Sequence, residues 1–240
     1  MLEFRSFGVP ALLDPEGHRI APLMNQPKRL ALLALVAIGH PDGCRRDLLI
    51  SLFWPESATS PARNALRQAL TMLRRHLGAD TMPNPRDEVI RVDPARLRVD
   101  ALGFERALKE DDPAGALALY RGEFLAGLHL SGLVEVERWI EERRAAYRRR
   151  AVRCALRLAE ASRDGDSAVA LSWVHRAVEL APLDEPAWRT LIAMQVQRGD
   201  PGAALASYER LVKLLATEFD TAPAPETQAL VASLRGSGAP

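Results

Sequence analysis

Cysteine is nearly absent from this 240-residue chain: Cys44 and Cys154 stand far apart and in no CxxC spacing. A disulfide framework and a thiolate metal site are thereby excluded as organising features, and a reducing compartment fits. Aromatic residues make up only 5% of the chain. Net charge is also missing, with 32 Lys+Arg against 31 Asp+Glu. Total charge therefore names no partner, and only its distribution can. The longest apolar run, Leu30 to Ile38, is too short to cross a bilayer. It begins too deep in the chain, behind acidic residues, to be the core of a signal peptide. The expected location is cytoplasmic, with no membrane partner. No GxGxxG, P-loop, GxSxG or HExxH occurs. The five histidines, His18, His40, His76, His129 and His175, have no metal-ligand spacing. No catalytic residue, metal or cofactor is expected, and the chain does not read as an enzyme.

What is present is ordinary globular material, 48% hydrophobic and 26% charged, enough for one large domain or two small ones. Leu2-Glu3-Phe4-Arg5-Ser6-Phe7 alternates, Asp14-Pro15-Glu16-Gly17 is a turn, and Ile20-Ala21-Pro22-Leu23 reads as a brief strand. These predict a small antiparallel sheet. Pro27 then opens a helix ended by Gly39 or Gly43. A second helix runs from about Arg45 to Phe53, stopped by Trp54-Pro55, and a third from near Ser60-Pro61 to Gly78. After a loop at Thr81-Met82-Pro83-Asn84-Pro85, Glu88–Val92 and Arg96–Val99 read as two strands joined by Asp93-Pro94. Three helices and two strands outline a winged helix-turn-helix.

The third helix carries the clearest chemistry. At 100° per residue, Ala62, Leu66, Ala69, Leu70, Leu73 and Leu77 fall on one face, which must be buried. The opposite arc holds Ser60, Arg63, Asn64, Arg67, Gln68, Thr71, Arg74 and Arg75, and no acid occurs from Ser57 to Ala79. Arg grips guanine and Asn or Gln grips adenine through paired hydrogen bonds at the major-groove edge. Asn64, Arg67, Gln68 and Thr71 are the base-reading candidates. Arg45, Arg46, Arg63, Arg74, Arg75 and Arg98 are the phosphate candidates, with Arg91 and Arg96 also near the wing. The plainer alternative is a solvated surface helix, but such helices usually mix both signs. His76 is readable as a phosphate contact or, more commonly, as an exposed bystander.

Pro27-Lys28-Arg29-Leu30-Ala31-Leu32-Leu33-Ala34-Leu35, Arg46-Asp47-Leu48-Leu49, Leu52-Phe53-Trp54-Pro55, Ala62–Leu70 and Leu73-Arg74-Arg75 together resemble the DNA-binding half of the bacterial SARP/BTAD activators. Their winged helix is similar to that of OmpR response regulators. The resemblance extends over nearly the whole chain. This sequence departs from it where Cys44-Arg45 replaces a Ser cap, and in lacking the wing's Gly-Tyr pair. No receiver domain precedes the winged helix, so phosphorylation of a fused Asp is not the expected switch.

From Asp100 to Leu234 the texture is almost wholly helical, which places the expected boundary near residues 100–103. Trp188, Leu191, Ala204 and Tyr208 fit a tetratricopeptide (TPR) template, as do Ala170, Val174, Ala177 and Pro182 one repeat earlier. Ala116 and Tyr120 repeat the small-to-aromatic step. Two or three irregular hairpins are predicted, separated by a long helix from Glu135 to about Ala161, with a frayed tail at Gly236–Pro240. The resemblance implies entry helices at Phe104–Leu108 and Tyr120–Leu125 and a last one starting at Pro225-Glu226-Thr227. The long helix holds Arg143, Arg144, Arg148, Arg149, Arg150, Arg153 and Arg157, a second basic surface or a solvated face paired with its own glutamates. Trp54, Trp173 and Trp188 are expected in cores, and Trp139 is the candidate interface anchor.

The fold class is therefore mainly α with a small β component. An OmpR-like winged helix-turn-helix at 1–100 is followed by an all-α TPR-like domain at 101–240. The expected function is a sequence-specific DNA-binding activator of transcription. The resemblance implies RNA polymerase as a partner, a homodimer on repeated DNA half-sites, and association with the bacterial nucleoid. The alternative is a TPR-type protein-interaction adaptor with no specific DNA target.

Overall fold

Alternation at the N-terminus does produce strands. In the computed structural model, which describes residues 1–20, 26–39, 43–83 and 88–236, β1 (Leu2–Arg5) pairs antiparallel with β2 (Ala11–Leu13). Ala21–Leu23, His40, Asn84, Pro85 and the tail Ser237–Pro240 lie outside the described residues. Pro27 occupies the first turn of α1 (Pro27–Ile38), and Gly39 caps its end. All nine residues from Leu30 to Ile38 are buried, so this helix is the centre of the N-terminal core. Around it stand α2 (Arg46–Phe53), reached through β3 (Cys44–Arg45), and α3 (Thr59–Leu77).

The two later strands exist but are not partners. β4 (Val89–Ile90) pairs antiparallel with β3, whereas β5 (Leu97–Val99) lies parallel against β1, with Phe4 opposite Val99. This corrects the simple strand–turn–strand reading through Asp93-Pro94. The Asp93 carboxylate accepts from Ala95 N and its carbonyl accepts from Arg96 N and Leu97 N, which turns the chain away from β4. Leu97 and Val99 then find an apolar edge on β1. Gly43 is required beside β3: its φ is +72°, and a Cβ there would sit 2.5 Å from the Ile90 carbonyl oxygen.

Two compact units make up the chain, residues 1–147 and 148–240. The change of texture near residues 100–103 falls inside the first. There α4 (Asp100–Lys109) and α5 (Pro113–Leu119) follow directly on β5. The Asp100 carboxylate accepts from Ser6 N at 2.7 Å, Ser6 Oγ at 2.6 Å and Phe7 N at 3.1 Å, with the Arg121 guanidinium 3.7 Å away. Phe7 is thereby held among Phe104, Tyr120, Phe124 and Tyr147, with ring centroids 4.9–6.5 Å from its own. Residues Tyr120–Leu125 are not the entry helix that the resemblance implies. Backbone pairing wins over helix formation: Gly8 N donates to Glu123 O and Leu125 N to Ser6 O, and Phe124 bridges Phe7. Tyr147 belongs to α6 (Val134–Ala161), the long helix, which starts one residue before its predicted position.

In the second unit, α7 (Ser167–Leu180), α8 (Glu185–Gln197), α9 (Pro201–Phe219) and α10 (Pro225–Gly236) follow the rest of α6. Asp166 and Asp200 cap α7 and α9 through their carboxylates, which satisfies amides that a helix start leaves unpaired. α8 packs against α7, α9 and α10. The TPR template positions behave as predicted: Ala170, Val174, Ala177, Leu191 and Ala204 are buried, and Tyr208 packs beside Ile192 and Val231. Trp188 is 1% exposed, and its Nε1 donates to Pro182 O at 2.7 Å. The other tryptophans are only half-buried, so Trp54 and Trp173 are not the core residues expected. Trp54 is left at the rim because α2 ends on it and Pro55 turns the chain outward.

Trp188→Ala should cost about 3–5 kcal/mol in denaturant unfolding, and Trp54→Ala about half of that. Asp100→Ala orphans buried donors and should cost about 3 kcal/mol. Burial raises the Asp100 pKa above 3.8 against the opposing bonds from Ser6 and Phe7. The folded chain therefore takes up the proton first, and stability from this group grows as pH falls through its folded pKa. The margin of the parent over Asp100→Asn should widen on acidification and level off near 3.8. A margin that narrows instead would mean that the hydrogen bonds outweigh burial.

Candidate nucleic-acid interface

The apolar face of α3 is buried at all six positions read from the sequence, Ala62, Leu66, Ala69, Leu70, Leu73 and Leu77. Its rotation is thereby fixed, and Arg63, Asn64, Arg67, Gln68, Thr71 and Arg75 are all exposed. Arg67 Nη2 donates to Asn64 Oδ1 one turn back, and Thr71 Oγ1 donates to Arg67 O at 2.8 Å. Arg74 differs. It is half-buried, and its Nε is shielded from solvent with no hydrogen-bond partner.

Beside α3, the start of α2 adds Arg45 and Arg46. With Arg63, Asn64 and Arg67 they border a cleft of about 380 Å³ that also meets Asp47 and Glu88. Arg45 takes the place of a Ser cap and offers no side-chain cap to α2. It pairs instead with both oxygens of Asp47, at 3.1 and 3.0 Å, which raises the arginine pKa and lowers that of the carboxyl. Arg46 is the strained member. Burial, and then the nearby Arg67 charge, lower its pKa. Like charges gathered on one surface cost stability and are retained where an anion is to be bound.

Arg98 stands elsewhere, on β5, with its Nη2 3.0 Å from Glu3 Oε2. Burial raises the Glu3 pKa, but the bonds and charges of Arg5 and Arg98 outweigh it and leave the pKa below 4.5. Sequence reasoning missed the other flank of α3. There Gln68 lines a depression of about 290 Å³ with Lys28, Arg29 and Trp54. Lys28 Nζ lies 4.5 Å over the Trp54 ring, and burial lowers its pKa. A Lys-Arg pair at one helix start and a Trp-Pro closing the next helix were the available signal. Arg144, counted in the long basic stretch, is spent internally: it donates to the Phe124 and Leu125 carbonyls. Trp139 meets Phe124 edge-on at 5.7 Å.

Among the described residues no group of three or more His, Cys, Asp or Glu is placed to hold a metal. No helix there is long and apolar enough to cross a membrane.

A cation-faced three-helix unit carried ahead of TPR-like helical hairpins is the build of a bacterial transcriptional regulator. The chain belongs to the bacterial transcriptional activator domain (BTAD) family, whose model matches residues 104–235, and it is of the SARP type. It is 25% identical over 95% of its length to the transcriptional regulatory protein MoaR1 of Mycobacterium tuberculosis, covering 78% of that protein. MoaR1 of Mycobacterium bovis BCG is 26% identical at the same coverage. Mycobacterium tuberculosis EmbR, solved in complex with a low affinity phosphopeptide, shares the fold. The TM-score is 0.65 at 21% identity, over 100% of this chain and 66% of that one.

The crowding of Arg46 by Arg67 has a measurable consequence. Arg67→Ala should raise unfolding stability by about 0.5 kcal/mol at low ionic strength, and the gain should fade as salt screens the pair. A loss of stability at every salt concentration would count against the repulsion.

Proposed function

We propose that this protein is a sequence-specific DNA-binding activator, in which α3 reads base edges in the major groove. The observation that carries this reading is the acid-free outer arc of α3, exposed at every position but the half-buried Arg74, while the opposite face is fully buried. Asn64, Arg67, Gln68 and Thr71 contact bases; Arg45, Arg46, Arg63, Arg74 and Arg75 hold phosphates. Arg98, on β5 beside β1, holds a further phosphate after exchanging Glu3 for it. Membership of an activator family supports a regulatory outcome.

The division of labour runs near residues 100–103. Residues 1–100 read DNA, and residues 101–240 join two copies and contact RNA polymerase. One recognition helix covers only a few base pairs, too little to choose a single site in a genome. A second copy supplies the missing information, so the operator is a pair of half-sites in direct repeat, occupied in the nucleoid.

Selection of bound duplexes from a random pool tests the reading. Arg67→Ala and Gln68→Ala should each relax base preference, at roughly 1–3 kcal/mol per lost paired contact. Arg75→Ala should instead weaken all sequences alike and flatten the salt dependence by about one phosphate. The full chain should bind two half-sites cooperatively. Variants indistinguishable from the parent would leave α3 a solvated helix, and equal affinity per site on one-site and two-site DNA would remove the assembly role.

A further inference from the structure

The polar arc of α3 has two cationic margins rather than one. Leu66 and Arg67 border the cleft on the side of Arg45 and Arg46. Ala65, Gln68 and Ala69 border the depression on the side of Lys28 and Arg29. Successive residues on a helix point about 100° apart, so Arg67 and Gln68 aim toward different flanks. The two margins differ in chemistry. The first contains Asp47 and Glu88, and Asp47 already pairs with Arg45. The second contains no carboxylate among its lining residues. Among the described residues, none lies within ion-pairing distance of Lys28 or Arg29.

Lys28 is held against the face of Trp54 rather than extended into water. A part-buried ammonium with an indole as its partner has lost hydration without gaining a counter-charge. Burial accordingly lowers its pKa. An arriving anion restores what the ammonium lacks, and the ring keeps the ammonium in place to meet it. Trp54 stands half-exposed at the end of α2, where its ring is placed to serve as this platform.

Geometry identifies the anion. A helix with its side chains is about 10–12 Å across, and the major groove is about 12 Å wide. A helix seated in the groove therefore has a sugar–phosphate chain on each side. Resting on the reading of α3 as the recognition helix, we infer that Lys28 and Arg29 hold a phosphodiester of one DNA strand while Arg45 and Arg46 hold the other strand. The α1 start thus joins the interface, and the Trp54 ring positions Lys28 without touching the bases.

The test uses the full chain and a mixed-sequence duplex, with affinity followed against salt. Lys28→Gln and Arg29→Gln should each reduce the slope of log K against log salt by ~0.9, the value for one phosphate contact on B-DNA. Base preference should stay that of the parent. Trp54→Leu should weaken binding through Lys28 alone, so adding it to Lys28→Gln should bring no further loss. Strand-resolved methylphosphonate substitution on a selected duplex needs no protein variant, and sensitivity on both strands flanking one groove is expected. Sensitivity on a single strand, or parental slopes in both Lys28 and Arg29 variants, overturns the inference and leaves the α3 reading standing. A parent chain with no salt-dependent DNA binding removes both.

Discussion

Burial of one face of α3 is the constraint from which the interface follows. A helix with six apolar residues along one side has a single rotation that hides them all. Once Leu66, Leu70 and Leu73 are packed against the neighbouring helices, the direction of every other side chain on α3 is settled. The arginines do not need to be attracted outward by anything. They are displaced there by the cost of exposing leucine, which exceeds the mutual repulsion of a few solvated guanidinium groups. The apolar half of the helix thus aims the cationic half.

The same balance explains where strain collects. α1 contributes nine consecutive buried residues and no charge to the middle of the first unit. Its polar residues are confined to the N-terminal turn, where Lys28 and Arg29 emerge next to α3. The junction of β3 and α2 delivers Arg45 and Arg46 to the opposite margin. Cations converge from three elements because α2 and α3 both pack against the buried α1, whose own cations stand in its first turn. The second unit has its own run of arginines, Arg148, Arg149, Arg150, Arg153 and Arg157 on α6. Buried alanines let α7, α8 and α9 approach closely, and carboxylates cap the starts of α7 and α9.

Legibility in the sequence followed the range of the interactions. The helix limits at Pro27, Phe53 and Gly78 were readable because Pro, Trp-Pro and Gly act on their own backbone. The buried face of α3 and the TPR positions were readable because periodicity is local. Tyr120–Leu125 was misjudged because its backbone bonds run to Ser6 and Gly8, more than a hundred residues away in sequence. The partners of β4 and β5 were hidden for the same reason: Leu97 and Val99 show an alternation, but nothing in it names β1. The Lys28 margin was overlooked because its two halves, Lys28 and Trp54, are brought together only by the packing of α1 against α2. The role of Arg144 as a donor to two carbonyls was equally invisible in a run of seven arginines.

The Asp100 clamp also has a bearing on how the chain is made. Ser6 leaves the ribosome 94 residues ahead of the carboxylate that ties it down. At a synthesis rate of about 5–20 residues per second, β1 waits roughly 5–20 s for β5 and Asp100 to emerge. During that interval α3 already exists as a sequence, but the sheet that completes the first unit is open at its parallel edge. Closing so long a loop is slow relative to helix formation. The nascent chain therefore acquires its cationic helix before it acquires the rigidity to hold that helix still. Order of synthesis delays a finished candidate interface until the polypeptide has been extended well beyond it.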